Sequence, residues 1–299
     1  MGSQYQHFVS KFLLKNFRIK GNPVYKCKNN EWTEHNVKKT GGEELFYGAE
    51  NNSLEKFFDK LESMIAAIIN FHQTITIEDK AYLKIFIQTL ANRSPSKNEI
   101  ISREIGNYGK ILTEEIPDIA KRCAHLERIK KEQDNFLMSL KDDMILKGII
   151  DKFPVFFNDS DQAKIFPDVT LAILQILPKV GKYFEVDILE SDHDFVVGET
   201  PTMSVDVEKN EIKTNGEEAG LANKNAIYWT PIAYNKIAFM YRIDSFEITL
   251  NKKVLKNDVD MFNYLQKEKN PFYYSRIKNI GIPELSGKID WNKYFKSRN

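Results

Sequence analysis

Four residues stand out as able to do chemistry because of where they fall: His7, Glu62, Arg93 and Glu199. His7 opens a strongly apolar run that contains Phe8, Val9, Phe12, Leu13, Leu14 and Phe17. An imidazole titrates near neutral pH and can act as general acid or base. The plainer reading is a histidine that caps a helix or packs beside it. Glu62 falls among Leu61, Ile65 and Ile69, where burial would demand a partner for the carboxylate or raise its pKa. An ion pair with Arg93 would meet that demand without any catalysis. Arg93 could instead grip phosphate or carboxylate through two parallel hydrogen bonds, or cap a helix C-terminus. Asp192, Asp194 and Glu199 crowd one strand-turn-strand segment together with His193. Three oxygen donors of this kind suit magnesium or manganese, with His193 as an added nitrogen ligand. Their spacing matches no recognised metal motif, and solvated turn carboxylates explain them equally well.

Absent motifs narrow the chemistry. The chain has no Gly-x-x-x-x-Gly-Lys phosphate loop, no Gly-x-Gly-x-x-Gly turn, no Gly-x-Ser-x-Gly elbow and no His-Glu-x-x-His pair. This disfavours common nucleotide-triphosphate, dinucleotide, esterase and zinc-protease sites. Forty-three basic against forty-two acidic residues give a formal charge of +1, so no global field draws in nucleic acid or an anionic membrane. Contact with nucleic acid or a nucleotide would need a local patch. The basic stretches Arg128-Ile129-Lys130-Lys131 and Lys252-Lys253 read as solvated faces. Two cysteines, Cys27 and Cys123, exclude a disulfide scaffold, and no signal peptide or membrane-spanning run is present. The expected location is the cytoplasm.

The elements that must position these residues divide the chain by period. At 299 residues, with 42% hydrophobic and 28% charged, it reads as one large α+β domain covering residues 1–299. Residues 1–51 suggest a helix plus a hairpin. Phe8, Phe12 or Leu13, and Phe17 would lie along one face of a helix of about three turns with His7 in its first turn. Val24–Lys28 and Glu31–Glu34 flank an Asn29-Asn30 turn, and Phe46-Tyr47 anchors the following loop. Residues 52–180 read as mainly helical. Asn52 and Glu55 begin a helix striped with Leu54, Phe57, Phe58, Leu61, Ile65, Ile68 and Ile69. Thr76 and Asp79 open another, with Leu83, Phe86, Ile87 and Leu90 inward, that ends at Asn92-Arg93-Ser94-Pro95. Further helices are expected at 97–115, 118–131, 134–150 and 167–177. Residues 181–299 change to a period of two. Strands are expected at Lys182–Leu189, Asp194–Gly198, Thr202–Val207, Glu211–Thr214, Ala226–Ile232 and Lys236–Tyr241, forming a mostly antiparallel sheet. A helix from about Asn257 to Lys269, the aromatic cluster Phe272-Tyr273-Tyr274 and a polar tail close the chain.

Taken together, several of these segments resemble one bacterial family. They are Gln6-His7-Phe8-Val9-x-x-Phe12-x-Leu14-x-Asn16-Phe17, Phe46-Tyr47, the Leu54–Ile69 helix with Glu62, and Asn92-Arg93-Ser94-Pro95. Phe195-Val196-Val197-Gly198-Glu199-Thr200-Pro201 and Tyr228-Trp229-Thr230-Pro231-Ile232 are similar to its later strands, although Glu199 stands where that family prefers aspartate. The family is DUF4238, and the similarity runs roughly from residue 4 to 275. The resemblance implies a cytoplasmic bacterial protein and no particular chemistry. Two functions follow as expectations from the residues themselves. One is a hydrolase, of nuclease type in bacterial defence, with His7 as acid or base, Arg93 stabilising negative charge, and Glu62 or Glu199 positioning water or metal. The other is a binding or sensor module for a small molecule or a protein, in which the same residues tie helices to sheet.

Overall fold

The computed structural model describes residues 5–44, 52–71, 75–92, 121, 183–209, 211–213, 223–249, 253–284 and 290–298. The opening segment departs from the expected three-turn helix. Tyr5–His7 is a strand, β1, and the helix α1 is only Lys11–Asn16, one and a half turns long. The reason is local. Ser10 has extended backbone and its hydroxyl accepts a hydrogen bond from the Leu13 amide, which starts the helix after His7 instead of before it. β1 is held by β4, Gly42–Glu44, with His7 opposite Gly42.

The hairpin lies where expected. β2, Val24–Lys28, pairs with β3, Glu31–His35, and both turn residues, Asn29 and Asn30, have positive φ. That geometry matches the twist of the flanking strands, and asparagine tolerates it. The two long helices also match their pattern. α2 covers Asn52–Phe71 and buries Phe58, Leu61, Ile65, Ile68 and Ile69. α3 covers Ile77–Asn92 and opens on a reciprocal cap, the Thr76 amide donating to Asp79 and the Asp79 amide donating to Thr76. From Tyr82 to Ala91 every residue of α3 is buried, so this helix has no solvent face along that stretch. Phe46-Tyr47, Arg93, Cys123 and the four helices expected between 97 and 177 lie outside the described residues.

The larger sheet has six strands. β5 is Phe184–Ser191, β7 Met203–Asp206, β8 Glu211–Lys213, β9 Ala226–Ala233, β10 Lys236–Arg242 and β12 Lys253–Val254, in the order β12-β5-β10-β9-β7-β8. All its pairings are antiparallel except β12 with β5. Neighbouring side chains on a strand face opposite ways, and β10 shows what each face meets. Met240 accepts a contact from the Gln88 amide of α3, while Phe239 packs on Phe262 of α4, the helix Lys256–Lys269. The sheet is therefore sandwiched between α3 and α4.

Asp194–Gly198, expected to continue this sheet, instead contributes only a two-residue strand, β6 (Val197–Gly198), to a second sheet. Its order is β3-β2-β13-β6, with β13 at Tyr273–Ser275. The tail is not merely polar: a 3-10 turn at Trp291–Lys293 leads into β14, Phe295–Ser297, paired with β11, Phe246–Ile248. One connected cluster of buried side chains runs from Phe8 to Phe295, with a smaller one at Cys27, Val196 and Tyr273. The class is α+β. No helix among the described residues is long and apolar enough to cross a membrane.

Candidate functional site

The N-terminal motif is held from three sides. The amides of Phe8 and Val9 both donate to the Gly41 carbonyl, at 2.9 and 2.8 Å. Gly41 has a φ of 71°, and a Cβ there would come within 2.9 Å of Leu14 Cδ1, so glycine is required by conformation and by space. At the start of α1 the free backbone amides face two acceptors. Ser10 takes the Leu13 amide, and Glu62, reaching across from α2, takes the Phe12 amide at 3.3 Å. A carboxylate at a helix N-terminus is favoured both by those amides and by the helix dipole. Asn16 closes the third side, its amide donating to the Ile232 carbonyl and its carbonyl accepting from Tyr234. The spacing of the motif is thus the spacing of packing: Val9, Leu13, Leu14 and Phe17 are fully buried.

His7 and Glu62 therefore meet the same short stretch of chain, residues 7–12. Both are buried. Glu199 is placed elsewhere, by β6 and β13. Its amide donates to the Phe272 carbonyl, and its half-buried carboxylate faces Lys26 of β2. The Lys26 ammonium lies 3.6 Å from the centre of the Phe272 ring, a cation-π contact. Burial and the nearby Lys28 push the Lys26 pKa down, and Glu199 pulls it back.

The expected oxygen-rich metal site is not assembled: among the described residues no three His, Cys, Asp or Glu side chains are grouped to hold a metal ion. The turn carboxylates have other uses. Asp194 is gripped by Arg276 through two bonds of 2.7 Å, and the guanidinium stacks 3.6 Å over the Tyr234 ring. Asp192 is exposed and paired with Lys253. His193 is exposed, its amide donating to Ser191 Oγ.

Sequence reasoning missed the device that fixes the segment carrying Asp194 and Glu199. Asn263, Gln266 and Asn270 project from α4 and its C-cap, and their side-chain oxygens accept the amides of Val196, Gly198 and Thr200 at 2.8, 2.7 and 2.7 Å. Asn263 and Gln266 donate in return to the carbonyls of Asp194 and Pro201. The dimensions explain the fit. A two-residue step along a strand is about 6.7 Å, and steps of three and four residues along a helix are about 4.5 and 6 Å. Side-chain amides thus replace a neighbouring strand. A Cβ on Gly198 would collide with Asn270 and Gln266, so the strand reaches the helix only because this residue has none. The sequence signal was present in three amide residues at i, i+3 and i+7 beside Val259, Phe262 and Leu265.

No curated protein and no solved structure matches this chain. The family model described as a protein of unknown function, DUF4238, matches residues 5–269, from the strand that ends in His7 to the last turn of α4, and the chain belongs to that family.

Proposed function

We propose that this protein is a cytoplasmic binding module whose N-terminal motif ties the helices to the sheets, with no substrate turnover at that motif. The observation that carries this reading is the burial of His7 and Glu62, each 6% exposed, with the Glu62 carboxylate engaged by the Phe12 amide. A hydrolase using them would need water and substrate at the imidazole, and its second carboxylate, Glu199, faces Lys26. The free, buried thiol of Cys27 suits a reducing compartment.

The test is induction of wild type and His7→Ala in a bacterial host, with growth, soluble yield and melting temperature recorded. The module reading expects no growth arrest from either chain and a mutant that melts earlier, by the roughly 1–3 kcal/mol that follows loss of a buried polar side chain. Growth arrest by the wild type, relieved in an equally stable His7→Ala, would overturn it and restore the hydrolase, with RNA, DNA and nucleotides as the next substrates to try.

A further inference from the structure

We propose that one face of the β2–β3 hairpin is an anion site for a soluble phosphate monoester, held by Lys26 and Lys28 of β2 together with Thr33 and His35 of β3. The inference goes beyond the binding reading by placing a ligand of stated chemistry away from the N-terminal motif, and it stands on different residues.

The pairing register assembles the group. Lys26 stands opposite Thr33, and Val24 opposite His35. Alternate residues of a strand share a face, so Lys26 and Lys28 project on the same side as Thr33 and His35. Cys27 and Trp32 take the other side, in the small cluster with Tyr273. On the first side Lys28 and Thr33 are exposed and Lys26 and His35 half-buried, so each keeps surface open to solvent. Thr33 Oγ1 lies 2.8 Å from His35 Nε2 and 3.4 Å from the Lys26 carbonyl. With its hydrogen given to that carbonyl, the hydroxyl accepts from the Nε2 hydrogen, which leaves Nδ1 as the nitrogen that takes up a further proton. The Lys26 ammonium rests on aromatic faces, 3.6 Å from the centre of the Phe272 ring and 5.9 Å from that of Tyr274. Among the described residues no carboxylate forms an ion pair with it.

The charges around this group do not cancel where they meet. Glu199 reaches Lys26 from beyond β13, on the side away from β3. β13 itself brings Tyr274, whose hydroxyl meets Thr40. Glu31 stands opposite Lys28 beside the turn, and Glu34 alternates to the other face. Burial and Lys28 push the Lys26 pKa down against the pull of Glu199, and burial and Lys26 push His35 below the ordinary histidine range. A dianion seated among Lys26, Lys28 and His35 reverses both effects, pairing with the ammonium groups and drawing a proton onto the imidazole. A phosphate ester, with its second pKa at about 6, carries that charge at neutral pH and offers three acceptor oxygens. Neither strand of the hairpin exposes a large apolar side chain that could enter a lipid surface, so the ligand is a soluble ester.

The experiment isotope-labels the histidines of the full chain and follows each ring by NMR as glycerol 2-phosphate is added at constant ionic strength. The His35 pKa should rise by about one unit at saturation, while the exposed His193 should not respond. Lys26→Gln should weaken binding about tenfold, and Lys26→Arg, which keeps the charge and the ring contact, should retain it. Lys28→Gln and Thr33→Val change exposed positions and should each weaken binding several-fold with the melting temperature unchanged, so the test survives if Lys26→Gln fails to fold. A His35 that does not move at tens of millimolar ester, the same shift from sodium chloride, or full affinity in Lys28→Gln and Thr33→Val would overturn the proposal. Binding to phosphatidate vesicles with no response to the soluble ester would overturn it too. None of these outcomes bears on His7→Ala, so either idea can fall without the other.

Discussion

At the scale of single residues, buried polar groups here are explained by what they hold. Glu62 spends its carboxylate on the Phe12 amide at the start of α1. Glu62→Ala should cost about 1–3 kcal/mol in urea unfolding because the buried amide loses its acceptor, whereas Glu62→Gln, which keeps an oxygen there, should cost less. Lys84 makes the opposite expectation. Its pKa in the folded protein lies below the ordinary 10.5 that it regains on unfolding. In the window between the two, the unfolded chain holds a proton that the folded one has released, so stability rises with pH across it. Lys84→Met removes both the buried amine and that slope. Its melting temperature should exceed the wild type's most at neutral pH, with the gap narrowing as pH approaches about 10; a gap independent of pH would mean that Lys84 is protonated in the fold as it is in water. Asp244 shows the ordinary carboxylate case. Its bond to Arg242 holds its pKa at about 2, so its contribution is present above the unfolded value of 3.8 and fades as pH falls toward 2. The Asp244 carboxylate is exposed and screened, which keeps that contribution small.

At the scale of elements, the α4 amides decide where β6 lies. Gly198→Ala should destabilise by about 1–3 kcal/mol through overpacking, and Gln266→Leu by a similar amount through the orphaned Gly198 amide. Both should be visible as a lowered urea midpoint, with amide exchange at Val196, Gly198 and Thr200 accelerated first. These elements also show what a sequence discloses. α2 and α3 were legible because a helix writes its buried face into a period within one segment, and Thr76 with Asp79 wrote its cap. The β2–β3 hairpin was legible because Asn29 and Asn30 are the residues its turn demands. β13 is legible only as an aromatic cluster, since three residues show too little alternation and its partner, Tyr25–Cys27, lies at the other end of the chain. Asp194 resembled a metal ligand because nothing near it in sequence announces Arg276. The apolar spacing of residues 8–17 points to a helix that includes His7, and only the Ser10 cap moves its start beyond that residue.

At the scale of the whole molecule, the family match ends at residue 269 while the core does not. Tyr274 is fully buried and its hydroxyl meets Thr40 at 3.1 Å, joining β13 to the loop before Gly41 and thus to the N-terminal motif. Beyond it, Trp291, Tyr294 and Phe295 fold back over α4 and β10, where Tyr294 stacks on Phe239 and Phe295 contacts Phe239, Tyr241 and Phe246. These three aromatics cover one end of the sheet whose other face packs on α3. Losing a buried aromatic costs about 3–5 kcal/mol, and a domain's whole stability is about 5–15 kcal/mol. Phe295→Ala should therefore leave a folded protein with a markedly lower melting temperature, and a chain stopped after residue 289 should fail to accumulate in soluble form. If the shortened chain instead melts within a few degrees of the full one, the core closes without its last strand.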